Sequence, residues 1–560
     1  MVKKLDARRI LRLLPWAAGL ASLLFLLYSM DVISKSIGFY WDELWDYVPS
    51  VAMIRGDSMQ GSQEIRLFHH PVPLVSGPYQ GALKVWVAAP LIKLFGTLPH
   101  RILTINVLFG MIYLLALYWA LLPAIGRWSW LVFASPFLDT NFLLVAPMDY
   151  GPSLFQYTFI SLAMGALFRY LADSDMKYYR LIWFFTGCIL AQKLTAIPIV
   201  ISLIAITIVI SCRAFWRTAV NHQLRAAAKS YVIIPSLLFL IPMIPHFLYF
   251  WRSGLRDLLT MTADGARFPY FGSLMDNFKY FSTMFDGSDW CQRITLDYST
   301  PAKLPPVLFV FVLVVMAASL VIYFTSGSEK RHCMPAIVSI ALLLGNFLIY
   351  PVFRGLYRPW HFFVLTPLFA CCGILSCANC LSYLANRWRK FAVYIQCVVA
   401  LFLTLCVTFG AARGFEVLRW IESRKGVCLT SPAITEAYEA LKAANVKMIY
   451  GLSYSIAQPI YVLSKGTIRV EELGFTDLTK EKIDELLKNV RENSEAAIVY
   501  RFCGCKEGDP NWIRWLNRDP PIVEFIRRVD SEHSSLDIKT IRDGRKTDFV
   551  LIRKSRKHPG

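Results

Sequence analysis

The sequence has no glycine-rich phosphate loop, since Gly451-Leu452-Ser453 fits none of the nucleotide-binding signatures. It has no small-residue cleavage site behind Lys3, Lys4, Arg8, Arg9 and Arg12 and the apolar segment that follows them. This excludes a cleaved leader and predicts a retained signal anchor. It has no internal repeat with paired interrupted helices, the pattern on which many transporters are built. Charge is thin as well, at 18% Asp, Glu, Lys and Arg. What fills the 560 residues instead is 56% hydrophobic and 14% aromatic, a chain that partitions mostly into lipid.

The apolar residues are unevenly distributed. By the length needed to cross a bilayer, about 20 residues, about eleven spans are expected. They fall near 13–35, 101–122, 128–146, 152–172, 180–194, 197–212, 231–250, 305–325, 333–352, 360–384 and 391–411. Residues 413–560 read instead as a soluble α/β layer domain, so the sequence predicts a membrane domain over 1–412 and a second domain after it. Alternate connections carry Arg127, then Lys177 and Arg180, then Arg213, Arg217, Arg225 and Lys229, then Lys330 and Arg331, then Arg387, Arg389 and Lys390. The positive-inside rule therefore puts the N-terminus in the cytoplasm and the C-terminal domain outside the inner, or plasma, membrane, periplasmic in a Gram-negative cell. The formal charge of +20 comes largely from those inner loops and implies no nucleic-acid partner.

That topology gives meaning to GFYWDELWDY, Gly38 to Tyr47, which sets Asp42, Glu43 and Asp46 at the outer end of the first span. It opens an external connection of residues 36–100 in which Gly77 to Gly96, apolar with Lys84 and Lys93, predicts one or two helices lying at the interface. Asp149 at the mouth of the fourth span, Lys193 between the fifth and sixth, and Arg354, Arg358 and His361 between the ninth and tenth are expected on the same face. Ionisable groups at membrane depth are costly and tend to be paired or to line a working cavity. Singly, each has an ordinary explanation: Asp149 ahead of Pro152 suits a helix cap, Lys193 a snorkelling amine, and the arginines interfacial anchors.

In order and context these residues resemble the GT-C class of polyprenyl-phosphate-sugar-dependent glycosyltransferases, near the protein O-mannosyltransferases and the aminoarabinose transferases that modify lipid A. Asp42-Glu43 resembles the acidic pair ending that family's first span. Gly77-Pro78-Tyr79 through Leu94-Phe95-Gly96 resembles its external Pro-x-Tyr to Phe-Gly segment, and Arg101 the arginine that opens the second span. Ser135-Pro136-Phe137 and Met148-Asp149 resemble its Ser-Pro stretch and fourth-span acid, Ala191 to Thr195 its lysine motif, and Arg358 to Pro367 the basic segment ahead of a proline-containing span. The resemblance covers residues 10–411 by order of elements. Its basic-Tyr-Leu-Leu-Pro pattern reads RPWHFFVLTP here, which leaves open whether Arg354, Arg358 or His361 meets phosphate.

The resemblance implies a polyprenyl-phosphate-linked sugar donor, a glycan, lipid or protein acceptor, and contact with membrane lipid. Such a donor carries its own leaving group. Transfer then needs a base for the acceptor hydroxyl and positive charge for the departing phosphate, but no general acid. Asp42 would be that base, attacking in line with inversion, and Glu43 would orient Asp42 or the acceptor. Arg354, Arg358, His361 and Lys193 would hold the donor phosphate. Asp149, His69, His70, Tyr79 and Lys84 are the substrate-binding candidates. No obligatory cofactor is expected, although Asp42 and Asp149 could together hold Mg²⁺ or Mn²⁺. His69 and His70 lack the spaced third ligand that a zinc site needs.

Thirteen cysteines add little: Cys371, Cys372, Cys377 and Cys380 fall inside a span, where packing is their expected role. On the outer side Cys291, Cys428, Cys503 and Cys505 could form disulfides, with no pairing indicated. Two other functions compete with transfer: a lipid-linked-sugar flippase, and a noncatalytic glycan-binding membrane protein, which would tolerate loss of Asp42.

Overall fold

The computed structural model describes residues 7–36, 38–39, 41–58, 64–68, 70–77, 80–138, 140–149, 153–220, 224–253, 307–325, 330–349, 364–387, 392–424, 432–452, 454–473, 478–503, 525, 527–529, 536–542 and 547–555. Helix α1 (Ala7–Ser36) leads into α2 (Trp41–Arg55), two short hairpins, β1–β2 (Glu64–Leu67, His70–Pro73) and β3–β4 (Val75–Gly77, Gln80–Gly81), and then α3 (Leu83–Phe95). The bundle proper follows as α4 (Pro99–Ile125), α5 (Leu131–Leu138), α6 (Thr140–Met148), α7 (Ser153–Asp173), α8 (Met176–Gln192) and α9 (Ile197–Val220). Residues 224–253 form one long interrupted helix: α10 (Leu224–Ala228), a π turn, α11 (Ile234–Leu240), a 3₁₀ turn and α12 (Ile244–Ser253). Pro235, Pro242 and Pro245 each lack the N–H that an uninterrupted helix uses, which accounts for its broken course. Helices α13 (Val307–Thr325), α14 (Lys330–Ile349), α15 (Thr366–Arg387) and α16 (Ala392–Arg424) complete the membrane part.

Every expected span coincides with a helix, the one at 128–146 being split into α5 and α6. Among the described residues six helical stretches are both long and apolar enough to cross a bilayer: Pro15–Ser36, Pro99–Ile125, Leu194–Val220, Leu224–Ser253, His332–Ile349 and Thr366–Arg387. Large apolar side chains such as Leu24, Leu115, Val209 and Leu348 stay exposed on their outer faces, where acyl chains take the place of water. Within the bundle Cys371 and Cys372 are buried as packing residues, as expected.

Two local differences from expectation matter for function. The acidic stretch is not the tail of the first span: Gly38 and Phe39 are not helical, and Trp41 starts a separate helix. Asp42 and Glu43 fall in its first turn. The segment ahead of α3 is not featureless either, since Pro71 and Pro73 sit in a two-strand ladder of four residue pairs.

The C-terminal domain is a five-stranded sheet in the order β6-β5-β7-β9-β8 (β5 Met448–Gly451, β6 Arg469–Glu472, β7 Ala496–Cys503, β8 Leu536–Arg542, β9 Thr547–Lys554). Strands β5, β6 and β7 are parallel, joined through α18 (Tyr454–Leu463) and α19 (Lys480–Glu492), with α17 (Ala433–Ala443) ahead of them. Alternating residues feed two cores. Ala497, Val499, Phe549 and Leu551 pack with Ile434 of α17 and Ile460 of α18, and Ile498, Val550 and Ile552 pack with Leu486 and Leu487 of α19. Thr479 caps α19, its hydroxyl accepting from the Lys482 N–H at 3.3 Å. Helix α16 passes residue 413, the expected domain boundary, without a break.

Candidate functional site: a buried charge cluster under α2

Polar residues of α2 are held from below by four other elements. Lys84, at the start of α3, is fully buried, and its Nζ lies 3.0 Å from Asp46 Oδ2 and 2.7 Å from Asp149 Oδ2, both carboxylates being equally buried. It also sits 5.1 Å from the centroid of the Tyr47 ring. Burial works against charge on this amine, but Asp149 and Asp46 outweigh it and hold the ammonium well above its ordinary range.

Asn106, in the middle of the apolar α4, is the second hub. Its Nδ2 donates to Glu43 Oε1 and to the Pro147 carbonyl, each at 2.7 Å, while Tyr47 donates its hydroxyl proton to Asn106 Oδ1. Asp149 stands in the gap between α6 and α7 with φ +38°. Its Oδ1 accepts from the Leu154 N–H at 3.0 Å and so serves the N-terminal turn of α7, while Oδ2 serves Lys84. One carboxylate thus ends one helix and clamps another. A left-handed backbone at an aspartate is sterically costly, and it persists here because both of its oxygens are engaged.

Of the residues singled out from sequence, the structure brings Glu43, Lys84 and Asp149 into this single network. Asp42 stands in the first turn of α2, one turn before Asp46, and is described through its backbone alone. Lys193 is buried at the end of α8, opposite Gln80 across an isolated antiparallel bridge. His70 is elsewhere: it is exposed in β2, and its Nδ1 would lie 3.9 Å from a Cβ at Gly56, past the C-terminal end of α2. That end is about 20 Å from Asp42 at 1.5 Å per helical residue. His69, Tyr79, Arg354, Arg358 and His361 lie outside the described residues. Among the described residues no group of three or more His, Cys, Asp or Glu side chains is arranged to hold a metal ion.

Sequence reasoning missed Asn106 and Tyr47, and it noted Asp46 without a role. Asp46 carries a readable signal, being an acid four residues after Asp42 on one helix, whereas a lone Asn within an apolar span carries none.

The membrane bundle, the polar segment between α1 and α4, and the C-terminal sheet together share the fold of a solved membrane protein. ArnT from Cupriavidus metallidurans in its apo state superimposes over 98% of this chain and 98% of its own, at 12% sequence identity and a TM-score of 0.55. The same protein bound to undecaprenyl phosphate does so over 96% and 97%, at 11% identity and a TM-score of 0.54. The Archaeoglobus fulgidus oligosaccharyltransferase, solved in complex with zinc and sulfate, superimposes over 86% of this chain and 67% of its own at 12% identity, with a TM-score of 0.44, too loosely to bear on the site. No family model and no curated protein matches the chain in sequence.

Proposed function

We propose that this protein is an integral membrane glycosyltransferase that moves a sugar from a polyprenyl-phosphate donor to an acceptor hydroxyl on the extracytoplasmic face, inverting the anomeric carbon. The observation that carries this reading is the Lys84 cluster. A helix that begins Trp41-Asp42-Glu43 is fixed from beneath by a fully buried ammonium shared between Asp46 and Asp149. The fold supports it too, because ArnT, with which this chain shares nearly its whole length, was solved with undecaprenyl phosphate.

On this reading Asp42 is the base. Positioning a base against its acceptor supplies much of the rate, and a loosely held helix would forfeit it. Asp46, one turn further on, is tied to Lys84, so the turn carrying Asp42 has a fixed height and rotation. Glu43 is tied to Asn106 and acts by orienting α2. Lys193 and, in the segment ahead of α15, Arg354, Arg358 and His361 are the candidates for stabilising the departing lipid phosphate. Asp149 already spends one oxygen on Leu154 and the other on Lys84, which makes it a poor ligand for a divalent cation, and the reading needs none. The N-terminus is cytoplasmic, and the sheet domain lies outside beside the acceptor.

The test is turnover. Purified wild type and Asp42→Asn are given radiolabelled polyprenyl-phosphate sugars with a membrane extract as acceptor source, and release of polyprenyl phosphate is followed. We expect a loss of at least about a hundredfold in Asp42→Asn, the usual scale of one general base, with donor binding retained. Equal turnover in both would remove Asp42 from the chemistry, and donor bound but never consumed by wild type would favour a flippase.

A further inference from the structure

Two apolar stretches are longer than a bilayer needs. Leu194–Val220 runs 27 residues from the point where Lys193 has just paired with Gln80 of β4. About 20 residues of helix cross the hydrocarbon core, so counted from Leu194 the core ends near Arg213. Residues 214–220 carry the helix about 10 Å further, into the headgroup layer. The returning stretch, Leu224–Ser253, runs 30 residues and ends beside β1, where Arg252 donates through Nη1 to the Glu64 carbonyl at 2.8 Å. The same count taken back from Ser253 stops near Ile234. Residues 214–220 and 224–233 thus share one headgroup layer, at the far end of both stretches from the β1–β4 segment.

That layer carries two pairs of cations. Arg213 and Arg217 stand one turn apart on α9, Arg225 and Lys229 one turn apart on the returning helix, and all four are exposed. Like charges at this spacing, with Cβ atoms about 5–6 Å apart, repel each other. No ion pair among the described residues neutralises them: residues 176–256 contain no Asp or Glu, and Asp175 just ahead is engaged with Lys177 at 3.0 Å. Both pairs are held on one frame, because the Phe215 and Tyr231 rings meet edge to face at 6.1 Å and the Tyr179 hydroxyl of α8 donates to the Tyr231 carbonyl at 3.1 Å. The positive-inside rule accounts for the sign of these residues but not for their pairing.

Apolar side chains lie among the cations. Trp216, Val220 and Leu224 are 59%, 70% and 62% exposed. Against water that exposure is unfavourable, whereas tryptophan is enriched where headgroups meet acyl chains. This favours a lipid over a soluble polyanion such as a nucleic acid, which would meet the charges and leave the apolar residues uncovered. We propose that the four cations bind the phosphates of anionic phospholipid, with Trp216 and its apolar neighbours against the glycerol and upper acyl groups. Guanidinium suits this task through its bidentate fork for phosphate oxygens. By the loop-charge expectation the leaflet is the cytoplasmic one. The proposal is independent of the transferase reading, since no step of transfer passes through these residues.

Lipid titration tests it. The full-length protein in neutral detergent is titrated with short-chain phosphatidylglycerol and, separately, with phosphatidylcholine. Wild type should prefer the anionic lipid, and raising the ionic strength should erode that preference, a readout that needs no variant. A basic residue near a membrane surface is worth roughly fivefold in affinity, so Arg213→Gln with Arg217→Gln, or Arg225→Gln with Lys229→Gln, should weaken phosphatidylglycerol binding roughly twenty-fivefold. Phosphatidylcholine binding should stay unchanged in both, which reports that they are folded, and Arg213→Lys with Arg217→Lys should keep the preference. Trp216→Ala should weaken binding of both lipids. Equal affinity of wild type for the two lipids, or a preference that survives both pairs of glutamine substitutions, would overturn the proposal. Displacement of phosphatidylglycerol by an equal concentration of inorganic phosphate would make this a site for free anions instead, and a Trp216→Ala variant with undiminished lipid affinity would remove the lipid seat.

Discussion

Lys84 carries its charge at 0% exposure, with carboxylates at 3.0 and 2.7 Å to share it. Replacing it by Met would leave Asp46 and Asp149 facing each other out of water, and breaking a buried pair in this way costs about 3–5 kcal/mol. Thermal unfolding in detergent should show that loss in Lys84→Met and its partial recovery when Asp46→Asn and Asp149→Asn are added. The pH dependence follows from the direction of the shift. The ammonium is held above its unfolded value, burial opposing it but Asp149 and Asp46 prevailing, so its stabilisation is complete below the unfolded value of 10.5 and is lost only as pH rises through the higher folded one. Removing the ammonium also takes away what holds down the buried Asp149 carboxyl, already raised by burial, so the penalty of Lys84→Met should be smaller at pH 6 than at pH 9, and an equal penalty would mean that Asp149 stays ionised in the variant. How legible these residues were depended on contrast. Glu43, Lys84 and Asp149 stood out as ionisable groups against apolar surroundings. Asn106 did not, because an uncharged polar side chain becomes conspicuous only once its partners are known.

Helix α2 is the element whose placement decides the site, and its far end is fixed by the sheet domain. Arg55 donates through Nη1 to the Lys465 carbonyl at 3.2 Å and through Nε to Asp57 at 2.7 Å, and the Tyr461 hydroxyl reaches the same Asp57 oxygen at 3.2 Å. Gly466, with φ +72°, makes room for this contact, since a Cβ there would meet Arg55 Cδ at 2.4 Å. Tyr461→Phe should weaken the junction by about 1 kcal/mol, read as faster hydrogen exchange across residues 41–57. Gly466→Val should do so more strongly, by strain as well as by contact. Faster exchange confined to α18 would mean that the junction does not hold α2. From sequence α17, α19, β5, β7 and β9 were readable because their apolar periods are clean. Helix α18 with its internal Pro459 and the four-residue β6 were not, and α2 was hidden because a short helix so close behind a span reads as the end of that span.

At the scale of the molecule, the spans were legible because a bilayer demands length and hydropathy, which a sequence displays openly, whereas lateral packing of helices leaves little trace. The orientation expected from loop charge can be measured directly. With Cys212, Cys291, Cys428, Cys503 and Cys505 replaced, a cysteine introduced at Lys488, exposed on α19, should react with a membrane-impermeant maleimide added outside the cell. One at Arg217, near the end of α9, should react only after the cells are opened, and the opposite pattern would invert the topology. The contact between Arg55 and Lys465 also spans 410 residues of chain. At a synthesis rate of roughly 5–20 residues per second, roughly 20–80 s separate the two partners as they leave the ribosome. For that interval the newborn chain sits in the membrane with one end of α2 still untethered, so it is the arrival of the sheet domain that steadies the helix.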